Sequence, residues 1–378
     1  AFGSTRVMAT CGHGAQAVAL ASVLCVKNEI NTKEILLPQY LPELQNQLNL
    51  TGQSIPGKAI DYNQLSVEKP TIKVSSTYEL SEMSFDGGWT GLKNGFAQLL
   101  PFTAHQKYSF KILIKAKKQS IIIIQLRKSS KLGNYTPDVE LESIEIPVST
   151  GEQFLNFSFE STFETEQYAF LTILSNDDVK VKTSEQRLTG TLSLFQKKNI
   201  AVSNYGSQLP PTGIGVDSFE FWTPKRRPEG KNLAFHVTPA IKLFDQDNIC
   251  NGYVRPYLKS NAWAASLKDN SPEILLSWNT TQKINKIRLF FDTDYDHPME
   301  SVQMGHPEDI IPFCIQNYSI YDKEDKLLYE KKGNYQTIND AEFESVIECT
   351  ELKIRLEHPS KDVPAALFEI ICLNDNPN

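Results

Sequence analysis

The chain has 378 residues, 40% of them hydrophobic and 22% charged, with a formal net charge of −7. This is ordinary globular composition, sized for two or three domains at roughly 100–200 residues each, and it excludes wholesale disorder. The negative charge argues against a large nucleic-acid surface, which needs clustered Lys and Arg; the densest basic run, Lys225-Arg226-Arg227, sits between prolines and reads as a solvated loop.

Residues 1–60 read as helical. Gly14 to Lys27 is rich in Ala and other small residues, lacks Pro, and is apolar nearly all round. Such a helix is expected to be buried on most sides, with Thr10 as its N-cap. A second helix, Gln39 to Leu50, carries Leu41, Leu44 and Leu48 at helical spacing and ends before Gly52 and Pro56. Two helices do not make a domain, so a larger body is expected to cover the first. The longest apolar run, Ala17 to Val26, is half of the roughly 20 residues a bilayer helix needs. The chain starts at Ala1 with no signal peptide, which suggests a processed product or a piece of a longer chain.

From about 68 to 197 the period changes to two. Tyr108, Phe110, Ile112 and Ile114 alternate with Ser109, Lys111, Leu113 and Lys115. Leu155, Phe157 and Phe159 alternate with Asn156, Ser158 and Glu160. Similar runs span 144–148, 168–174 and 191–195, with Gly133-Asn134 and Gly151 as turn signals. Short strands at this spacing indicate a β-sandwich or jelly roll. Residues 203–216 hold two prolines and three glycines and read as a linker. The last part, 217–378, is again β-rich: strands are expected at 274–278, 287–291, 352–357 and 366–372. The fold expected is mainly β, two sandwiches preceded by a short helical segment.

No nucleophile elbow, zinc-protease helix, phosphate loop or dinucleotide fingerprint is present. Gly12-His13-Gly14 opens a helix with small residues, which allows either tight packing or close approach of an electron-rich ligand to the positive helix end. Asp292, Asp294 and Asp296 alternate after a hydrophobic strand; these hard oxygen donors suit Ca²⁺, or else a polar loop at a sheet end. His297 and His306 are the weaker case for zinc. Asn251 to Ala264 combines Arg255, Asn261 and Trp263 before a strand. That mix can stack on and hydrogen-bond a sugar, or it can be a core Trp with a loop clamp. Asp86-Gly87-Gly88-Trp89 reads as a turn with a packing Trp. The six cysteines show no zinc spacing and read as buried thiols, with a disulfide among Cys250, Cys314, Cys349 and Cys372 left open.

Gly3 to Lys27 (GSTRVMATCGHGAQAVALASVLCVK) resembles the end of the flavin domain in a bacterial family of FAD-dependent oxidoreductases, as does QYLPELQNQLNLTGQSIPG after it. The segment EQYAFLTILSNDDVKVKTSEQRLTGTLSLF is similar to the β-domain that follows in that family. NGYVRPYLKSNAWAA, LFFDTDYDHPMESVQMGHPEDIIPFCIQNYSIY and GNYQ are similar to a discoidin-like, galactose-binding-fold module found at the C-terminus of some members. The resemblance implies a flavin-domain remnant at 1–60, a β-sandwich at 68–197 and a galactose-binding-like domain at 217–378. It implies that Ser4, Thr5, Arg6, Val7, Met8, Gly12 and Gln16 lie against FAD. The family's N-terminal fingerprint for the ADP half of FAD is not in these residues, so the chain alone is expected to be colourless and inactive, and no catalytic acid or base is assigned.

Two functions follow as expectations. One is the C-terminal part of an FAD-dependent oxidoreductase acting on a carbohydrate or related polyol. The other is a non-catalytic glycan-binding protein, with Arg255, Asn261 and Trp263 as ligand contacts and Ca²⁺ at Asp292, Asp294 and Asp296. Sandwiches serving only as spacers or subunit contacts are a third. The partners expected are a carbohydrate or other small molecule, no nucleic acid and no membrane span. The location expected is the bacterial periplasm or exterior. Substrate, electron acceptor and oligomeric state stay open.

Overall fold

The computed structural model describes residues 8–131, 133–198, 220–224, 230–293 and 311–374. It is mainly β, and all its strand pairs are antiparallel. The helical segment comes first. Helix α1 (Met8–Asn28) and α2 (Leu41–Leu50) form a hairpin. The expected start was late: Thr10 lies inside the first turn of α1, because the small residues after Met8 carry the helix through Gly12 and Gly14. Leu24 and Cys25 pack on Ile35, and Gln16 Nε2 donates to Thr51 Oγ1 at 2.8 Å. The other side of α1 is bare in this chain, with Val18, Val23 and Val26 each more than 60% exposed. The expectation of burial on most sides therefore holds for one side only.

Helix α2 has a different environment. Asn46 and Asn49 hydrogen-bond the backbone of Asp61, Lys58 and Ile55, which folds the segment after Gly52 back onto the helix. Arg288 grips Asp340 through two contacts of 2.6 Å and donates to the carbonyl of Leu50 at 2.8 Å. A terminal helix carbonyl lacks an intrahelical partner, and this guanidinium supplies one. Leu50 and Ile60 then pack with Phe290, Phe368 and Ile371, so α2 belongs to the C-terminal β body.

The first sandwich has two sheets. One joins β2 (Tyr78–Met83), β3 (Trp89–Leu92), β5 (Ser109–Ala116), β8 (Gly151–Ser158), β10 (Asn176–Ser184), β13 (Asn232–Leu233) and β14 (Phe235–Phe244). The facing sheet has the order β12-β11-β4-β9-β6-β7: β4 (Phe96–Phe102), β6 (Ser120–Lys128), β7 (Val139–Val148), β9 (Gln167–Ile173), β11 (Leu192–Lys198) and β12 (Glu220–Pro224). Between them lies the largest core, with Phe96, Phe102, Phe110, Phe159 and Phe235 all nearly inaccessible. Strand β5 shows why: its buried positions are Phe110, Ile112, Ile114 and Ala116, and the pleat sends the alternate residues outward.

The second body is built on β1 (Thr71–Val74), β16 (Glu273–Phe290), β17 (Tyr318–Asp322), β18 (Leu327–Lys331), β19 (Ile338–Leu356) and β21 (Glu369–Leu373). The strands expected at 274–278 and 287–291 are two halves of β16, joined across a register shift between Ser277 and Gln282. A two-stranded ribbon, β15 (Trp263–Ala264) with β20 (Ala366–Leu367), covers this sheet. Strand β1 pairs with residues 274–277, some two hundred positions later, whereas β14 pairs with β2 and β5 of the first sandwich. The first sandwich is thus inserted into the second, and the linear division at 68 and 217 does not follow the sheets.

One buried acid fastens the second body. Glu369 is fully inaccessible. Its Oε2 accepts from the Gly252 amide at 2.6 Å, its Oε1 meets the Tyr62 hydroxyl, and that hydroxyl lies 3.1 Å from the Ile370 carbonyl. Burial drives the Glu369 carboxyl well above its ordinary range; the Tyr62 and Gly252 hydrogen bonds oppose this only in part. The Tyr62 hydroxyl has one proton and two acceptors in reach, Glu369 Oε1 and the Ile370 carbonyl; a carboxyl in its neutral form donates to Tyr62 and leaves that proton for Ile370. Gly252 permits the approach: at φ +84° its position faces the Ile60 backbone, where a Cβ would come within 2.8 Å.

A group with a raised folded pKa stabilises fully below its unfolded value and loses that contribution as pH rises toward the folded value. Glu369→Gln keeps both hydrogen bonds and does not titrate. Urea melts should show the variant matching the wild-type chain near pH 4 and exceeding it increasingly toward pH 8. An unchanged difference across that range would exclude a neutral Glu369.

Candidate functional site: the outer face of the first sandwich

The loop that the sequence offered as a sugar site is part of the junction between the bodies. Trp263 is fully inaccessible, and its indole donates to the Ser76 carbonyl at 3.0 Å. Asn261 is buried at φ +48° and donates to the Tyr257 carbonyl at 2.8 Å, closing the loop on itself. Arg255 alone of the three is exposed, beside Tyr135. Around them the Tyr135 hydroxyl donates to Pro256, the Tyr168 amide to Leu258, and Lys259 pairs with Glu166 at 2.7 Å. Gly190, at φ +81°, packs where a Cβ would meet Ser260 at 2.6 Å. Trp263 is thus a core anchor, and the clamp of the loop is the buried Asn261 rather than Arg255, which is exposed.

The other candidates separate as well. Ser4, Thr5, Arg6 and Val7 lie outside the described residues, and Met8 is the first residue of α1. Gly12 is exposed, and a Cβ placed there would meet nothing within 4 Å; Gln16 is engaged with Thr51. Asp292 is buried near Cys314, whose thiol is pushed up to about 12, first by burial and then by that carboxylate. Asp294, Asp296, His297 and His306 lie outside the described residues. Among the described residues no three His, Cys, Asp or Glu side chains group as metal ligands, and no cysteine is disulfide-bonded. The turn at Asp86 is as expected, with its carboxylate accepting from the Glu185 amide at 2.9 Å. Trp89 is not a core residue: it stands half-exposed on the outer face, with Lys182 and Lys115 ammonium groups 5.3 and 5.8 Å from its ring.

That outer face holds a recess of about 460 Å³, lined by side chains from β5, β8 and β14. The register sets His236, Lys111 and Asn156 across one row, and Thr238, Ser109 and Ser158 across the next. Rows two residues apart are about 7 Å apart, and neighbouring strands about 4.8 Å, so six polar groups occupy roughly 7 by 10 Å. The Ser109 and Ser158 hydroxyls are 2.7 Å apart, and His236 Nδ1 lies 3.1 Å from a Glu82 oxygen. Phe154 is not part of the lining; it stands on the same face of β8, two positions before Asn156. It is about half exposed, with the Lys111 ammonium 4.3 Å from its centroid and the Phe85 edge packed at 5.6 Å. The arrangement offers hydroxyl, amide and imidazole groups beside an apolar ring, the combination that holds a polyhydroxylated molecule.

The sequence carried one overlooked signal for this site. In GEQFLNFS, Leu155 and Phe157 face the core, and Phe154 occupies a position in the polar register, with Glu152, Asn156 and Ser158. A large apolar residue in the outward set of an otherwise alternating strand is a surface feature that wants a reason.

These observations define a class: an antiparallel two-sandwich protein with a polar recess on one open sheet. No protein-family model matches the chain, and no curated protein matches it. It is similar to the family 32 carbohydrate-binding module of Streptococcus pneumoniae EndoD (12% identity, 35% of this chain and 86% of that one, TM-score 0.27). It is also similar to chitosan-binding module 2 of a Paenibacillus sp. IK-5 chitosanase/glucanase, solved with chitotriose (14%, 35% and 87%, TM-score 0.26). A third is the family 32 module of C. perfringens NanJ in complex with galactose (14%, 32% and 79%, TM-score 0.23). Each leaves about two thirds of this chain unmatched.

Trp263→Ala should cost about 3–5 kcal/mol, as large-to-small changes at fully buried aromatics do. Denaturant titration checks it; a loss under 1 kcal/mol would mean that the ring is not a core anchor.

Proposed function

We propose that the protein binds glycans, and that the recess over β5, β8 and β14 is the binding site. The observation that carries this is the six-group polar grid with the exposed Phe154 ring at its side. Sugar hydroxyls each need a donor and an acceptor when withdrawn from water, and Ser109, Ser158, Thr238, Asn156 and His236 supply both kinds. The apolar face of a pyranose ring needs an aromatic or aliphatic wall, and Phe154 supplies it. The residues are on strands rather than loops, so little conformational freedom is lost on binding. A ligand of this class fits a periplasmic or extracellular location.

A second reading takes the chain as part of a flavoenzyme, and the exposed side of α1 favours it: Val18, Val23 and Val26 are apolar and uncovered among the described residues. Of the expected flavin contacts, Met8, Gly12 and Gln16 are among the described residues. Gly12 is exposed on α1, and the half-buried Gln16 donates to Thr51. Glycan binding is the better supported reading.

Phe154→Ala and Asn156→Ala should each weaken binding of the best glycan on an array at least tenfold by calorimetry, with the melting temperature shifted by no more than a few degrees. Both side chains are exposed, so folding is little affected. Wild-type affinity in both variants would remove the recess as the site. A flavin absorbance spectrum retained by the purified chain would instead favour the second reading.

A further inference from the structure

The recess does not end at Lys111. Along the outward positions of β5 the next residues are Leu113 and Lys115, and β10 adds Lys180 and Lys182 on the same face. Lys115 stands directly opposite Lys180 in the register. Like charges opposite one another in a sheet are destabilising, so this pair works against the fold. Glu152, across from Lys115, relieves it with an ion pair of 2.9 Å. Of the other acids on this face, Glu82 is engaged by His236 and Asp178 by Lys118 at 3.0 Å. Lys111, Lys180 and Lys182 have no carboxylate within 4.0 Å among the described residues; Lys111 and Lys182 instead lie against aromatic rings. A chain of net charge −7 thus gathers four lysines on one sheet face, with Phe154 at one end and Trp89 at the other.

We infer that this face binds an acidic oligosaccharide, with Lys111 and Lys182 neutralising its anionic groups and Phe154 and Trp89 flanking its rings. The inference rests on the glycan reading above and narrows it. From the Ser109 row to the Lys115 row is six residues, about 20 Å along the strand, which is room for several sugar units rather than one. Lysine is a compact point charge without the guanidinium fork, so both a carboxylate and a sulfate ester suit it. The two sources share one chemistry, a singly charged oxyanion on a sugar ring.

Calorimetry with the whole chain separates the possibilities. The probes are trigalacturonate, galactotriose and a 6-O-sulfated galactotriose, each at low salt and in 0.5 M NaCl. The acidic trimers should bind at least tenfold tighter than galactotriose at low salt, and salt should close most of that gap. Whichever acidic trimer is tighter identifies the anion. The variant Lys182→Gln, whose side chain lies outside the recess lining, should lose most of the preference and keep the affinity for galactotriose. Equal binding of acidic and neutral trimers overturns the inference and leaves glycan binding standing. Binding of none of the three, with a glycan array also blank, removes both. Tighter binding of a single-stranded oligonucleotide than of any trimer would assign the lysines to a different partner and overturn the inference.

Discussion

The whole architecture hangs on four residues. Trp263 and Ala264 pair with Leu367 and Ala366 in a two-stranded ribbon, and successive side chains of a strand point to opposite faces. Trp263 and Leu367 enter the core of the second body, while Ala264 and Ala366 enter the core of the first. The ribbon is a shared wall, with large residues on one side and small ones on the other. The Trp263 indole also holds the Ser76 carbonyl, where the chain leaves β1 for the inserted sandwich. The Ser75 and Ser76 hydroxyls close on Asp269 at the same crossing.

An inserted sandwich needs its entry and exit fixed close together. The entry is held by Ser76 and the exit by Asn248, which donates to both Leu243 and Ala262 at 3.0 Å. The Arg255–Asn261 loop then packs against Tyr135 and Tyr168. Asn261 and, just after the loop, Trp263 are buried, while Arg255 stays exposed. Glu369 plays the corresponding part at the other end of the second body. Its carboxyl joins Tyr62 to Gly252 and draws the segment after α2 against the last strand.

What these constraints leave free is the open face of the first sandwich. Its strands are fixed from behind by an aromatic core, so outward side chains are held in register without needing to pack. Lysines facing one another across β5 and β10 are tolerable on such a support, and a ring such as Phe154 can stay half exposed. Rigid backing and surface freedom together are what a preformed binding face requires.

The alternation of Phe110, Ile112 and Ile114 with Ser109, Lys111 and Leu113 was enough to determine that the chain is β-rich and which face of that strand is buried. The small residues of α1 likewise specified a helix. These are local patterns, set by a pleat of two residues and a helical turn of 3.6. The tertiary structure alone decided that β1 joins β16, that one sandwich interrupts the other, that Trp263 is a wall rather than a ligand platform, and that lysines from two strands share one face. Each of those depends on a pairing between residues up to two hundred positions apart, and a strand's own sequence specifies its faces but not its neighbour.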